Sequence, residues 1–341
     1  MIIIYSVGNS KVGIGNVSRA SSLYKEFLKN DLVSTQDIYF ICEASRSILE
    51  QFHLNLLPRV TMTKDKDDSF EFIRSYLKHR KKECLLIVDA PDLSYIDRER
   101  LALYGISKFI SLTDSNIDSF QPHFFIDTDI FPKKYSYDFP IEIISGAKYH
   151  IIRDDLLVHK KSELLDKQII ESVFVCFGGA DPAFYTEWFY KNIALDSSFN
   201  HIHFTIGIGP AFSESRTGLF ASISDRVQVI KCPNIVQEII NHDLVVTLGG
   251  LTTYEAMYIG TPVCALEWSY MTPYVRKLHE YNFIENLGTP VKAYDSFKNI
   301  INNSKSLFKK TDYAWRTLDG LGARRAANSL TSKQELVIYF H

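Results

Sequence analysis

The chain has 341 residues, which suits two domains of about 150 residues better than one core. Hydrophobic residues make up 46% and charged residues 23%, a globular balance that excludes wholesale disorder. Lys plus Arg (38) against Asp plus Glu (40) gives net −2, so no basic excess marks a nucleic-acid binder, and no apolar run nears the about 18 residues of a membrane span.

The N-terminal run Met1-Ile2-Ile3-Ile4-Tyr5-Ser6-Val7 lacks the basic segment of a secretion signal and predicts a buried first strand. The expectation is a soluble, cytoplasmic protein without a transmembrane segment; peripheral membrane association is compatible with it. Short apolar runs then alternate with amphipathic stretches, the pattern of βαβ units around a parallel sheet. Strands are predicted at 2–7, 37–41, 85–88, 109–112 and 124–126, and again at 173–177, 203–206, 227–230, 244–248 and 263–266. Val17, Ala20, Leu23, Tyr24, Phe27 and Leu28 share one face of a first helix. Further helical stretches are predicted at 184–193, 235–240 and 254–259, and from 323 towards 340. The charged segment 153–167 separates the halves, with the boundary expected within 146–161. The predicted class is α/β, two tandem Rossmann-like doubly wound domains, with a ligand cleft where the carboxyl ends of their strands face each other. Residues 1–150 form the first domain and 151–325 the second, followed by a helical segment, 326–341. The five cysteines (Cys42, Cys84, Cys176, Cys232 and Cys264) include no C-x-x-C pair and are expected as buried free thiols rather than metal ligands.

Three strand-to-helix turns could hold phosphate. In Gly13-Ile14-Gly15-Asn16-Val17-Ser18-Arg19 the glycines allow close backbone approach, or Asn16 simply caps the helix. The turn lacks the third glycine and later acidic residue of a dinucleotide fingerprint. In Cys176-Phe177-Gly178-Gly179-Ala180-Asp181-Pro182 a buried strand ends in paired glycines, and Asp181 then Pro182 read as an N-cap and first helical residue. In Leu248-Gly249-Gly250-Leu251-Thr252-Thr253-Tyr254-Glu255, hydroxyls and helix N–H groups converge as a diphosphate requires, with Glu255 placed to meet a ribose diol. The same letters also spell a capping box, Thr252-x-x-Glu255. No Walker lysine, G-x-S-x-G or H-E-x-x-H motif is present.

Taken together and in order, these segments resemble the GT-B superfamily of nucleotide-sugar enzymes. With Gly260-Thr261-Pro262 and Asp319-Gly320-Leu321-Gly322-Ala323-x-Arg325, they are most similar to PseG-type UDP-sugar hydrolases of pseudaminic acid biosynthesis and their SpsG relatives, and more distantly to MurG-like glycosyltransferases. The resemblance implies a GT-B fold whose C-terminal domain binds the nucleotide and whose N-terminal glycine loop, with Gly13 and Gly15, faces the sugar. Gly178, Gly179, Gly249, Gly250, Thr252 and Thr253 would surround the diphosphate and Glu255 the ribose. Asp89 matches a family aspartate near the cleft, or else it caps the turn before Ala90-Pro91. By the same analogy the C-terminal segment returns to the N-terminal domain.

One departure decides the chemistry expected. The hydrolases, and many related transferases, place a histidine after G-x-G where this chain has Asn16, and an amide cannot take a proton from water near neutral pH. The leading expectation is therefore a metal-independent glycosyltransferase using a UDP- or CMP-linked sugar donor and a surface-glycan or protein acceptor. Asp89, Asp181 and Glu267 are the base candidates for an inverting course, and a retaining course assisted by the donor phosphate fits Asn16. The alternatives are a PseG-like hydrolase with another base, and a nucleotide-sugar-binding protein without catalysis. Trp268 and Tyr270, after the last predicted strand, either stack on a ligand or form a satellite core.

Overall fold

A computed structural model describes residues 1–336 apart from 10, 11, 32, 79, 81, 132, 165–168, 180, 182, 210, 211, 213, 221–223 and 232. The chain divides into two units, Met1–Asp154 with Gly320–His341, and Asp155–Asp319. The first runs β1 (Ile2–Gly8), α1 (Gly15–Leu28), β2 (Ile38–Ala44), α2 (Arg46–Gln51), β3 (Val60–Thr63), α3 (Lys66–Leu77), β4 (Cys84–Asp89), α4 (Tyr95–Leu103), β5 (Ile106–Ser111), α5 (Ile117–Phe120), β6 (Phe124–Ile126) and β7 (Glu142–Ile144). Its strands form a parallel sheet in the order β3-β2-β1-β4-β5-β6-β7.

β1 is buried along its whole length because helices cover both sheet faces. The period of two sorts its side chains: Ile2 and Ile4 join one core, Ile3, Tyr5 and Val7 the other. β4 divides in the same way, Leu85 and Ile87 against Cys84, Leu86 and Val88. α1 buries Val17, Ala20, Leu23, Tyr24 and Phe27 on the first of these cores. Burial of a leucine or phenylalanine there contributes about 1.5–3 kcal/mol.

The second unit runs β8 (Ser172–Cys176), α6 (Tyr185–Phe189), β9 (His203–Ile208), α7 (Glu214–Thr217), β10 (Val227–Lys231), α8 (Ile235–Asn241), β11 (Leu244–Thr247), α9 (Leu251–Ile259), β12 (Val263–Leu266), α10 (Thr272–Glu280), β13 (Glu285–Gly288), α11 (Pro290–Asn302) and α12 (Lys305–Thr317). Its sheet is also parallel, in the order β10-β9-β8-β11-β12-β13. A π-helical turn, Tyr190–Ala194, continues α6. The last helix, α13 (Gly322–Leu336), belongs to the first unit. Ala323, Ala326, Ala327 and Leu330, spaced for one helix face, lie in the same core as α1.

Every predicted strand is present, together with three that the apolar runs did not mark: β3, β7 and β13, each at a sheet edge. β13 displaces β12 as the last parallel strand. Cys42, Cys84, Cys176 and Cys264 are buried free thiols, and Cys232 lies outside the described residues. Burial pushes Cys42 and Cys84 up to about 12 and Cys176 to about 11, so these thiols are inert at neutral pH. Among the described residues no helix is long and apolar enough to cross a membrane.

Candidate functional site

In an open α/β sheet the crevice for a ligand lies at the carboxyl ends of the strands, where the strand order reverses. In the first unit this switch point falls between β1 and β4, and in the second between β8 and β11. The ends of these strands carry most of the sequence-predicted residues, whereas Glu267, Trp268 and Tyr270 follow β12, the neighbour of β11.

In the first unit the chain turns after β1 through Gly13, with φ +77°, into α1. The residue capping α1 is Ile14, so Asn16 is not the N-cap that the sequence suggested but lies in the first turn. Three residues on, Arg19 shares its face. Its guanidinium grips Asp89 at the end of β4 with two bonds, Nε to Oδ2 at 2.8 Å and Nη2 to Oδ1 at 2.6 Å. It also donates to Thr128 Oγ1 at 3.2 Å and reaches Asn16 Oδ1 at 3.5 Å. Asp89 is fully buried. Burial pushes its carboxyl up, against the pull of Arg19. The buried His150 donates from Nδ1 to the Thr128 carbonyl at 2.6 Å, and burial lowers the imidazole to about 4, leaving it neutral at pH 7.

In the second unit the turn after β8 carries Gly178 and Gly179, and Ala180 and Pro182 lie outside the described residues. The N-cap residue of α6 is Phe184, and Asp181 caps that helix from further upstream. Its carboxylate accepts from the Tyr185 N–H at 3.1 Å and the Thr186 N–H at 2.7 Å. Arg216 lies 3.4 Å from the same carboxylate, pairs with Glu187 at 2.6 Å and stacks between the rings of Phe184 and Phe212. The Tyr185 and Thr186 N–H groups at the start of α6 therefore already serve a carboxylate and are not offered to a phosphate. If Asp181 is a cap, Asp181→Ala is expected to cost about 1–2 kcal/mol and Asp181→Asn less. Unfolding in urea measures this, and unchanged stability in both variants would reject the capping role.

The turn after β11 differs. Gly249 adopts φ +83°, a left-handed conformation that glycine takes without strain. Gly250 is the N-cap of α9, no side-chain bond caps it, and the first turn has no acidic residue. The Thr252-x-x-Glu255 capping box is thus absent. Thr253 is buried with its hydroxyl 2.7 Å from that of Thr247, so the half-buried Thr252 supplies the hydroxyl nearer the surface. Glu255 is buried on the second turn of α9. Glu267, after β12, accepts from Arg276 at 2.9 and 2.7 Å and from Asn286 at 2.8 Å. The two-bond contact with Arg276 holds its carboxyl below the usual range. Trp268 packs against the second unit's core, whereas Tyr270 is 67% exposed.

All three carboxylates considered as bases are therefore buried against an arginine: Asp89 on Arg19, Asp181 on Arg216 and Glu267 on Arg276. Of these arginines only Arg19 stood within a motif read from the sequence. The available signal was its i, i+3 spacing from Asn16.

No family model matches the chain. An uncharacterized protein of Methanocaldococcus jannaschii is 24% identical over 281 residues, 78% of this chain and 55% of its own length. The chain thus spans about half of the curated relative it matches. Among solved structures, S. aureus MnaA with UDP is similar over 98% of both chains, at TM-score 0.66 and 11% identity. MurG of Acinetobacter baumannii is similar at TM-score 0.59 and 11% identity, over 97% of this chain and 99% of its own. The spinosyn rhamnosyltransferase SpnG with thymidine diphosphate is similar at TM-score 0.58 and 12% identity, over 93% and 96%. The fold is that of GT-B proteins, two Rossmann-like α/β domains with parallel sheets of seven and six strands.

Proposed function

We propose that this chain is a metal-independent, nucleotide-sugar-dependent glycosyltransferase acting on a surface glycan or a protein. The observation that carries the reading is the start of α9, opened by Gly249 and Gly250 without a side-chain cap, at the switch point of the second sheet. Backbone N–H groups there, with the Thr252 hydroxyl, suit the donor's diphosphate, and the helix dipole favours the charge that grows on it as the sugar leaves. Gly178 and Gly179 line the neighbouring strand end, and Glu255 serves the ribose. In the first unit Gly13, Gly15 and Asn16 are read as the sugar or acceptor side.

Transfer is preferred to hydrolysis because the groups able to activate water are engaged. Asn16 takes no proton, and Asp89, Asp181 and Glu267 are each held by an arginine. That arrangement favours a retaining course. The bond from the anomeric carbon to phosphate breaks, the acceptor oxygen bonds on the same face, and the leaving phosphate takes the acceptor proton. Similarity to a structure holding UDP supports a uridine donor, with a CMP-linked nonulosonic acid as the alternative.

Calorimetric titration with UDP, CMP and GDP tests the site. UDP is expected to bind, and Glu255→Ala to weaken it by about 10- to 100-fold, the value of a hydrogen bond to a charged group. Binding of CMP alone would replace the uridine assignment, and binding of none of the three would remove the nucleotide site.

A further inference from the structure

The second unit carries a basic pocket on the edge of its sheet opposite the glycine turns. Asn282 stands just before β13 and Asn303 just after α11, which places the pocket at the amino-terminal ends of the parallel strands. It is an open depression of about 630 Å³ whose lining residues are exposed apart from the half-buried Lys310. Lys305, Lys309, Lys310 and Tyr313 line it from α12, and no carboxylate does. Tyr313 stacks on Phe283 with ring centroids 5.1 Å apart, which fixes that wall.

The three ammonium groups are not equivalent. Lys310 pairs with Glu285 at 2.8 Å, and Ser306 donates to the same carboxylate at 3.1 Å. Lys305 and Lys309 make no hydrogen bond or ion pair among the described residues. They stand four apart on one helix face, where like charges repel. Lys305 is also the first residue of α12, where the helix dipole favours anions, and the first turn has no acidic residue to offset it. Two unfavourable placements, the like-charge pair and Lys305 at the helix start, coincide in a depression that also offers the Asn282 and Asn303 amides and the Tyr313 hydroxyl. An anion in the cavity would reverse both penalties.

We propose that this pocket binds a phosphoryl-bearing ligand, separately from the nucleotide site, with Lys305 and Lys309 as its charged contacts. The phosphoryl group comes from a free phosphorylated molecule or from a phospholipid headgroup, and the test has an arm for each source. The full chain, with saturating UDP present to fill the α9 turn, is titrated with pyrophosphate, and it is co-sedimented with vesicles of phosphatidylglycerol or of phosphatidylcholine. The exposed double variant Lys305→Gln/Lys309→Gln is compared with Lys64→Gln/Lys78→Gln in the first unit, which removes the same net charge. The proposal expects the pocket variant to lose about tenfold or more in affinity for pyrophosphate or for phosphatidylglycerol vesicles, with the control variant unchanged and UDP titration unaltered. Loss in the first arm identifies a soluble ligand and loss in the second a headgroup. Equal behaviour of the two variants in both arms, or no binding by the parent chain in either, overturns the pocket. A chain that fails with UDP but passes here leaves this site standing and rejects only the nucleotide reading.

Discussion

Arg19→Met is expected to lower the stability of the first unit by about 3–5 kcal/mol, the cost of stranding a buried carboxylate. Asp89 is fully buried and its oxygens accept from Arg19 at 2.8 and 2.6 Å. Methionine keeps much of the stem but leaves the carboxylate without its counter-charge. Burial already pushes the Asp89 carboxyl up, and losing the guanidinium pushes it further in the same direction. A folded-state pKa above the unfolded one means that the folded chain binds the proton more tightly. The stability from that proton is complete below the unfolded pKa and is lost as pH rises through the folded one. The variant should therefore be weakest near pH 7 and partly recover on acidification toward pH 4. Arg19→Met/Asp89→Asn should regain much of the loss at pH 7, because a neutral amide tolerates burial better. Urea midpoints at the two pH values measure both effects. If the single variant unfolds like the parent at pH 7, the pair does not hold the end of β4 against α1.

Much of the fold was legible because a parallel strand covered on both faces is apolar along most of its length, as β1, β4, β8 and β11 are. The edges escaped for the same reason. β3, β7 and β13 have one covered flank, and Glu142 or Glu285 can stand in such a strand without cost. Glycine pairs at the strand ends marked the turns, yet the cap assignments failed at Asn16 and Thr252. A capping residue and one inside the first turn carry the same letters, and the backbone alone separates them. The arginine partners were hidden by distance along the chain. Arg19 and Asp89 are 70 residues apart and Arg216 and Asp181 are 35 apart. Only Arg276 and Glu267, nine apart, lie near enough in sequence to suggest a pair. What remained readable at the site was thus its glycines, not the charges that determine what its carboxylates can do.

Gly209, directly after β9, abuts Gly179 in the loop after β8, and Gly209→Ala is expected to damage the second unit most. A Cβ on Gly209 would stand 2.3 Å from the Gly179 carbonyl oxygen and 2.4 Å from its Cα, far inside the 3.0 Å that such contacts respect. The obstacle is backbone, which cannot swing aside as a side chain can. Either the turn after β8 moves or the end of β9 does, and overpacking of this kind costs about 1–3 kcal/mol. If Gly179 helps hold the diphosphate, the displacement should also weaken UDP by about tenfold or more, as misplaced contacts usually do. Gly178→Ala provides the comparison. Its φ is +85° but no atom lies within 4 Å of the added carbon, so it carries only the strain of a left-handed alanine, about 1–2 kcal/mol. Urea midpoints and UDP titrations on the two variants separate stability from site geometry. Both variants should lose stability, with the larger fall in UDP affinity in Gly209→Ala. A Gly209→Ala chain that is destabilised yet binds UDP normally would place Gly179 outside the nucleotide site and leave the α9 turn to hold the diphosphate alone.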